Sequence, residues 1–213
     1  GNYRLSLKLT SKKQVISENY LDIFVVPKDL LRRINLKLST KNISLEENFV
    51  NVGLDPYKVS EADVIYSVNY DGSLPEMASE GRIIIIELSE GGEFSHFGYS
   101  LHRRTGIEEG NWVSGLGIIH PKIAGKIFKN KILDYKFIDN IPCHVLLGEF
   151  NFTSKTLMGM VFGWIEHPLN FMVEIPIGKG KIILHTFPII KRLSSSPIMT
   201  ALFYQLLKSL ERR

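Results

Sequence analysis

Residues 82–88 read Arg82-Ile83-Ile84-Ile85-Ile86-Glu87-Leu88, and this run constrains the fold more than any other stretch of the chain. Four successive isoleucines cannot alternate between core and water. A strand built from them must be covered on both faces, as the central strand of a parallel sheet is. Ala62 to Val68 supplies a second strand, Ile34 to Leu38 a shorter one before it, and residues 72–81 a short helix closed by Gly81. The spacing predicts a βαβ rhythm and an α/β layered domain whose sheet is mainly parallel, with helices on both faces.

Further strands are predicted at Cys143 to Glu149, Thr156 to Trp164, Asn170 to Ile175 and Lys181 to Thr186, with Gly178-Lys179-Gly180 turning between the last two. The chain closes on its clearest helix. Ser196 is a natural N-cap, Pro197 suits the first helical position, Met199, Phe203, Leu206 and Leu210 recur at helical spacing, and Arg212 and Arg213 lie near the C-terminal dipole. The first 26 residues differ from all this. Leu5, Leu7 and Leu9 alternate with Arg4, Ser6 and Lys8, residues 10–13 turn the chain, and Tyr20 to Val26 returns as a second strand. Pro27 ends that strand, so residues 1–26 are expected as a strand pair, 27–33 as a linker and 34–213 as the α/β domain.

Length and composition remove several classes. At 213 residues, the chain suits one domain with an appendage. Its single cysteine, Cys143, can close no internal disulfide, and no Cys/His cluster has zinc-ligand spacing, so neither metal nor cofactor is expected. No apolar run reaches the ~18 residues of a membrane span, and a soluble chain is expected. The formal charge of +4 hides +6 over residues 1–41, −9 over 42–110 and +7 over 111–213. The basic residues are not interleaved with aromatics in any reading motif, so nucleic acid is not an expected partner. The opening residues show neither an initiator Met nor a signal-peptide layout, and the chain reads as part of something longer.

Three stretches together resemble the accessory C-terminal part of some family 2 glycoside hydrolases, the β-galactosidase and β-glucuronidase group. Gly1 to Leu5, Ser17 to Tyr20 and Ile23 to Pro27 look like the end of an Ig-like β-sandwich. Glu61 to Ile65, Gly81 to Ile86, Gly117 to Pro121 and Ile177 to Leu184, leading into Ser195-Ser196-Pro197, resemble a class I glutamine-amidotransferase-like domain of flavodoxin-like layering. A related domain serves for trimerisation in family 42 β-galactosidases. The resemblance implies a non-catalytic accessory or oligomerisation domain, partnered by the remaining domains of a parent glycosidase or by further copies of itself. The catalytic carboxylates would then lie outside this chain.

The candidate residues carry their own chemical constraints. An amidotransferase needs a cysteine on a sharp strand-to-helix elbow flanked by small residues. Cys143 instead enters an apolar strand without a neighbouring glycine, with His144 pointing to the opposite face, and reads as a buried structural thiol. Ser89 follows the isoleucine strand in Glu87-Leu88-Ser89-Glu90-Gly91, a nucleophile-elbow pattern whose first glycine is replaced by Glu87. His185, on a late strand, is where such a fold would supply a base. An autonomous hydrolase acting through Ser89 and His185, or through Cys143, is therefore the alternative. His96, His102, His120 and His167 are scattered among loop residues, and the sequons at Asn42 and Asn151 matter only in a glycosylating host.

Overall fold

A computed structural model describes residues 2–104, 116–148, 154–162 and 167–211. In chain order the elements are β1 (Asn2–Ser11), β2 (Gln14–Phe24), β3 (Leu38–Thr40), α1 (Glu46–Asn51), β4 (Val64–Val68), α2 (Leu74–Ser79), β5 (Ile83–Glu87), β6 (Ser95–His96), β7 (Tyr99–Arg103), β8 (Leu116–Ile119), α3 (Pro121–Ala124), β9 (His144–Gly148), β10 (Lys155–Phe162), β11 (His167–Ile177), β12 (Gly180–His185), α4 (Ile189–Arg192) and α5 (Pro197–Leu210). Gly1, the Asn151 sequon, Trp164, Arg212 and Arg213 lie outside the described residues.

β1 and β2 form a separate two-stranded antiparallel sheet. Lys12 and Lys13 turn it with φ of 47° and 66°, the positive pair that matches strand twist in a two-residue hairpin loop. The base of this hairpin meets the rest of the protein where Phe24 stacks on Phe128 at 6.4 Å between ring centroids.

Strands β3 to β12 make one mixed sheet. Its first block, β3-β4-β5-β12, is parallel, with Ile65 beside Ile84 and Leu184 beside Ile86. From β12 onward the neighbours are antiparallel: β11 pairs with β12, β10 and β9, and β10 carries β8 while β9 carries β7 and then β6. The expectation of a mainly parallel sheet is corrected here, because the turn at Gly178 sends β11 straight back along β12 without a crossover helix. The first strand is also displaced, to Leu38–Thr40 from the expected Ile34 to Leu38.

The isoleucine run is explained by two cores. Ile85 joins Tyr66, Ile183 and Phe171 on one face, beneath Phe203, Leu206 and Leu207 of α5, Phe49 of α1 and Ile123 of α3. Ile84 and Ile86 join Ile65, Leu184 and Val173 on the other, against Leu74 and Ala78 of α2 and against Phe94 and Tyr99. Each such side chain contributes roughly 1.5–3 kcal/mol when fully buried. α5 is capped as predicted, with Ser196 Oγ accepting from Met199 N–H at 3.4 Å, but it also buries Ile198, Leu202 and Leu207 off the expected stripe. No helix among the described residues is long and apolar enough to cross a membrane.

Candidate functional site

The C-terminal ends of the parallel strands bring Ser89 and His185 into one polar cluster. β5 ends on Glu87 and β12 on His185, which are register partners, while β4 places Tyr66 two residues short of Val68, the register partner of Glu87 on its other side. Tyr66, Glu87 and His185 are all buried. Glu87 Oε2 accepts the Tyr66 hydroxyl at 2.5 Å and the Ile190 N–H at 3.1 Å, and Oε1 accepts the Ser89 hydroxyl at 2.6 Å. Tyr66 Oη meets His185 Nε2 at 3.0 Å. The result is a ladder, Ser89–Glu87–Tyr66–His185, that ties three strands and the start of α4 together.

Burial sets the protonation states. It raises the Glu87 carboxyl, opposed by the Ser89, Tyr66 and Ile190 donors. It holds the Tyr66 phenol well above its ordinary value, and the neighbouring Glu87 charge pushes the same way. It drives the His185 imidazole down to about 3, against a smaller pull from the Phe187 backbone. His185 is therefore neutral near pH 7. The Tyr66 hydroxyl donates to Glu87, which leaves Tyr66 Oη as the acceptor facing His185 Nε2, and His185 Nδ1 has no hydrogen-bond partner of good geometry.

This arrangement is poor equipment for a serine nucleophile. Ser89 is bonded to a carboxylate rather than to an imidazole, and it reaches His185 only through Glu87 and Tyr66. The histidine packed on the loop after β5 is another one: His144 lies so close to Gly91 that a Cβ there would stand 2.7 Å from Nε2. Cys143 is exposed, a correction to its expected burial, because it precedes β9 at the surface where its carbonyl accepts from Arg104 N–H.

Three further histidines serve locally. His120 Nδ1 accepts from Lys122 N–H and caps α3, with its pKa lowered by burial and by the Lys155 and Lys122 charges. His96 stacks on Tyr70 at 4.0 Å, and His102 pairs with Ser100. Among the described residues, no group of three or more His, Cys, Asp or Glu could hold a metal ion. Sequence reasoning missed Tyr66 and the acceptor role of Glu87. The one available signal was a carboxylate ending an otherwise apolar central strand, which must find donors. A groove of about 770 Å³, lined by Arg32, Lys37, Tyr57 and Asp63 among others, lies beyond the N-terminal ends of β3 and β4, away from the ladder.

No family model matches this chain, and no curated protein does. Among solved structures, β-galactosidase from Bacillus circulans sp. alkalophilus is similar at 10% identity and a TM-score of 0.42, over 83% of this chain and 31% of that one. The chain thus spans about a third of that enzyme's length. A cytoplasmic protein from Salmonella typhimurium is similar at 10% identity and 0.42, over 97% and 95%. A protein from Thermoplasma acidophilum, assigned as a GMP synthase component, is similar at 10% identity and 0.40, over 82% and 94%. At such TM-scores these likenesses carry no argument. What the fold and the site themselves define is an α/β protein with a mixed sheet and a closed polar ladder at its parallel strand ends.

Proposed function

We propose that this chain is a non-catalytic accessory module of a larger, β-galactosidase-like glycoside hydrolase, with an amidotransferase-like layered domain preceded by a strand pair from a β-sandwich. The observation that carries the non-catalytic reading is the commitment of Ser89 to Glu87, with His185 buried at the far end of the ladder. The glycosidase setting is supported by the resemblance of Gly1 to Pro27 and of the Gly81 to Ile86 and Ile177 to Leu184 strands. The alternative, an autonomous hydrolase, draws on the exposure of Cys143 and on the position of Ser89 at a strand end. The test is turnover of nitrophenyl β-galactoside, nitrophenyl acetate and glutamine by the purified chain beside its Ser89→Ala and Cys143→Ser variants. Rates equal to both variants are expected. Turnover that either substitution abolishes would overturn the reading.

A further inference from the structure

The β1–β2 hairpin carries an apolar face that nothing among the described residues covers. Tyr3, Leu5, Leu7 and Leu9 share one face of β1, and direct register partners put Ile23 and Leu21 beside Tyr3 and Leu5 on the same face. These six side chains are 39–61% exposed. The opposite face is largely finished for water: Arg4 pairs with Asp22 at 2.8 Å and lies over the Tyr20 ring at 4.2 Å, and Lys8 pairs with Glu18 at 3.1 Å, leaving Tyr20 and Val15 as its exposed apolar side chains. A lone two-stranded sheet is marginal in water, so a hairpin with one finished face and one bare apolar face needs a cover for the second.

We propose that the cover is a second copy of this chain, hairpin against hairpin through the faces of Tyr3, Leu5, Leu7, Leu9, Leu21 and Ile23. This rests on the accessory reading and departs from it at one point: the second layer that a β-sandwich strand pair needs is supplied by the partner's hairpin and not by further strands of the same chain. The area suits a dimer. Six half-exposed large side chains offer on the order of 500 Å² of apolar surface, and the flanking Ser17 and Asn19 bring the patch toward the ~800 Å² per partner of a standard interface. The charge pattern suits a second copy in particular. In a two-fold contact each residue meets the same patch on its partner, so any charge would face its like. The apolar face carries none, since Arg4, Lys8, Glu18 and Asp22 all lie on the other side. The turn carries Lys12 and Lys13, so the two hairpins run antiparallel. Their tips then stand about 30 Å apart, the length of the strands, which exceeds the Debye length of about 8 Å at physiological salt.

The test is sedimentation velocity on the chain from about 1 to about 100 μM, beside Leu7→Asp, Leu7→Gln and, on the finished face, Ser6→Asp. The wild-type chain is expected to dimerise, Leu7→Asp to weaken the dimer about a hundredfold or more, Leu7→Gln to weaken it less, and Ser6→Asp to leave it in place. Unchanged circular dichroism in the variants would show that the α/β body stays folded. A wild-type monomer at the highest concentration would overturn the proposal and assign the face to another protein or domain. A dimer indifferent to both Leu7 substitutions would overturn it as well. Either outcome leaves the accessory reading standing if the same sample shows no turnover, and turnover would remove that reading without touching the dimer.

Discussion

Tyr66 gives its hydroxyl proton to Glu87 at 2.5 Å, across the parallel β4–β5 pair and out of contact with water. In that low-dielectric setting a hydrogen bond is stronger than in solvent, and a missing partner is costly for the same reason. The Tyr66 ring is also fixed, edge-on to Phe203 at 5.6 Å and to Phe49 at 5.8 Å.

Tyr66→Phe keeps that ring and removes only the hydroxyl. Glu87 loses one donor, and His185 Nε2 loses its hydrogen-bond partner. A loss of about 1–3 kcal/mol is expected, read from the urea midpoint at constant slope. A loss below about 0.5 kcal/mol would show that the ladder adds nothing to stability.

His185 predicts an acid limb. Its folded pKa of about 3 lies below the ordinary 6.5, so the unfolded chain binds the extra proton first, and stability falls as pH drops from about 6.5 toward 3. The full span corresponds to roughly 4–5 kcal/mol. Glu87 runs the other way. Its raised pKa makes its contribution fully present below the ordinary 4.5 and lost as pH rises through the folded value, which offsets part of the limb. Urea unfolding near pH 7 and near pH 4 should show a smaller drop for His185→Gln than for the wild type, and equal drops would place the acid sensitivity elsewhere.

Phe203 is fully buried, stacked on Phe49 at 6.0 Å, whereas Lys208 is exposed and pairs with Glu211. Phe203→Ala is expected to cost about 3–5 kcal/mol and Lys208→Glu no more than about 1 kcal/mol. Equal losses by denaturant unfolding would misplace α5.

Gly180 starts β12 against α2, where a methyl group would overlap the carbonyl oxygens of Arg82 and Ala78, while nothing stands within 4 Å of such a group at Gly72. Gly180→Ala is therefore expected to lower the melting temperature by several degrees or more, and Gly72→Ala to leave it nearly unchanged. A tolerated Gly180→Ala would mean that the β11–β12 turn sits farther from α2.

Burial decided which parts of this fold could be read from the sequence. Ile83 to Ile86 gave away its strand because successive residues enter two different cores, and α5 announced itself through Ser196, Pro197 and the Met199–Leu210 spacing. In the antiparallel half, β9, β10 and β11 were legible as strands, but their pairing was not, and β6 and β7 were missed. β6 and β7 are short, with half-exposed residues such as Ser100 and Leu101, and leave little periodicity to read. The ladder was hidden for another reason. Ser89 and His185 are visible as residue types, but the Tyr66 that stands between Glu87 and His185 is set by which strands lie side by side and in what register. Cys143 misled because free cysteine is usually buried, whereas here the strand begins one residue later.

The most direct test of the non-catalytic reading concerns the Ser89 hydroxyl. If Ser89 is a donor to Glu87 and no more, a fluorophosphonate probe incubated with the native chain near pH 7.5 should leave Ser89 unlabelled by peptide mass spectrometry, at the level of a denatured control. Stoichiometric phosphonylation of Ser89 that is lost in His185→Gln would contradict it, because the ladder would then be a working nucleophile and base.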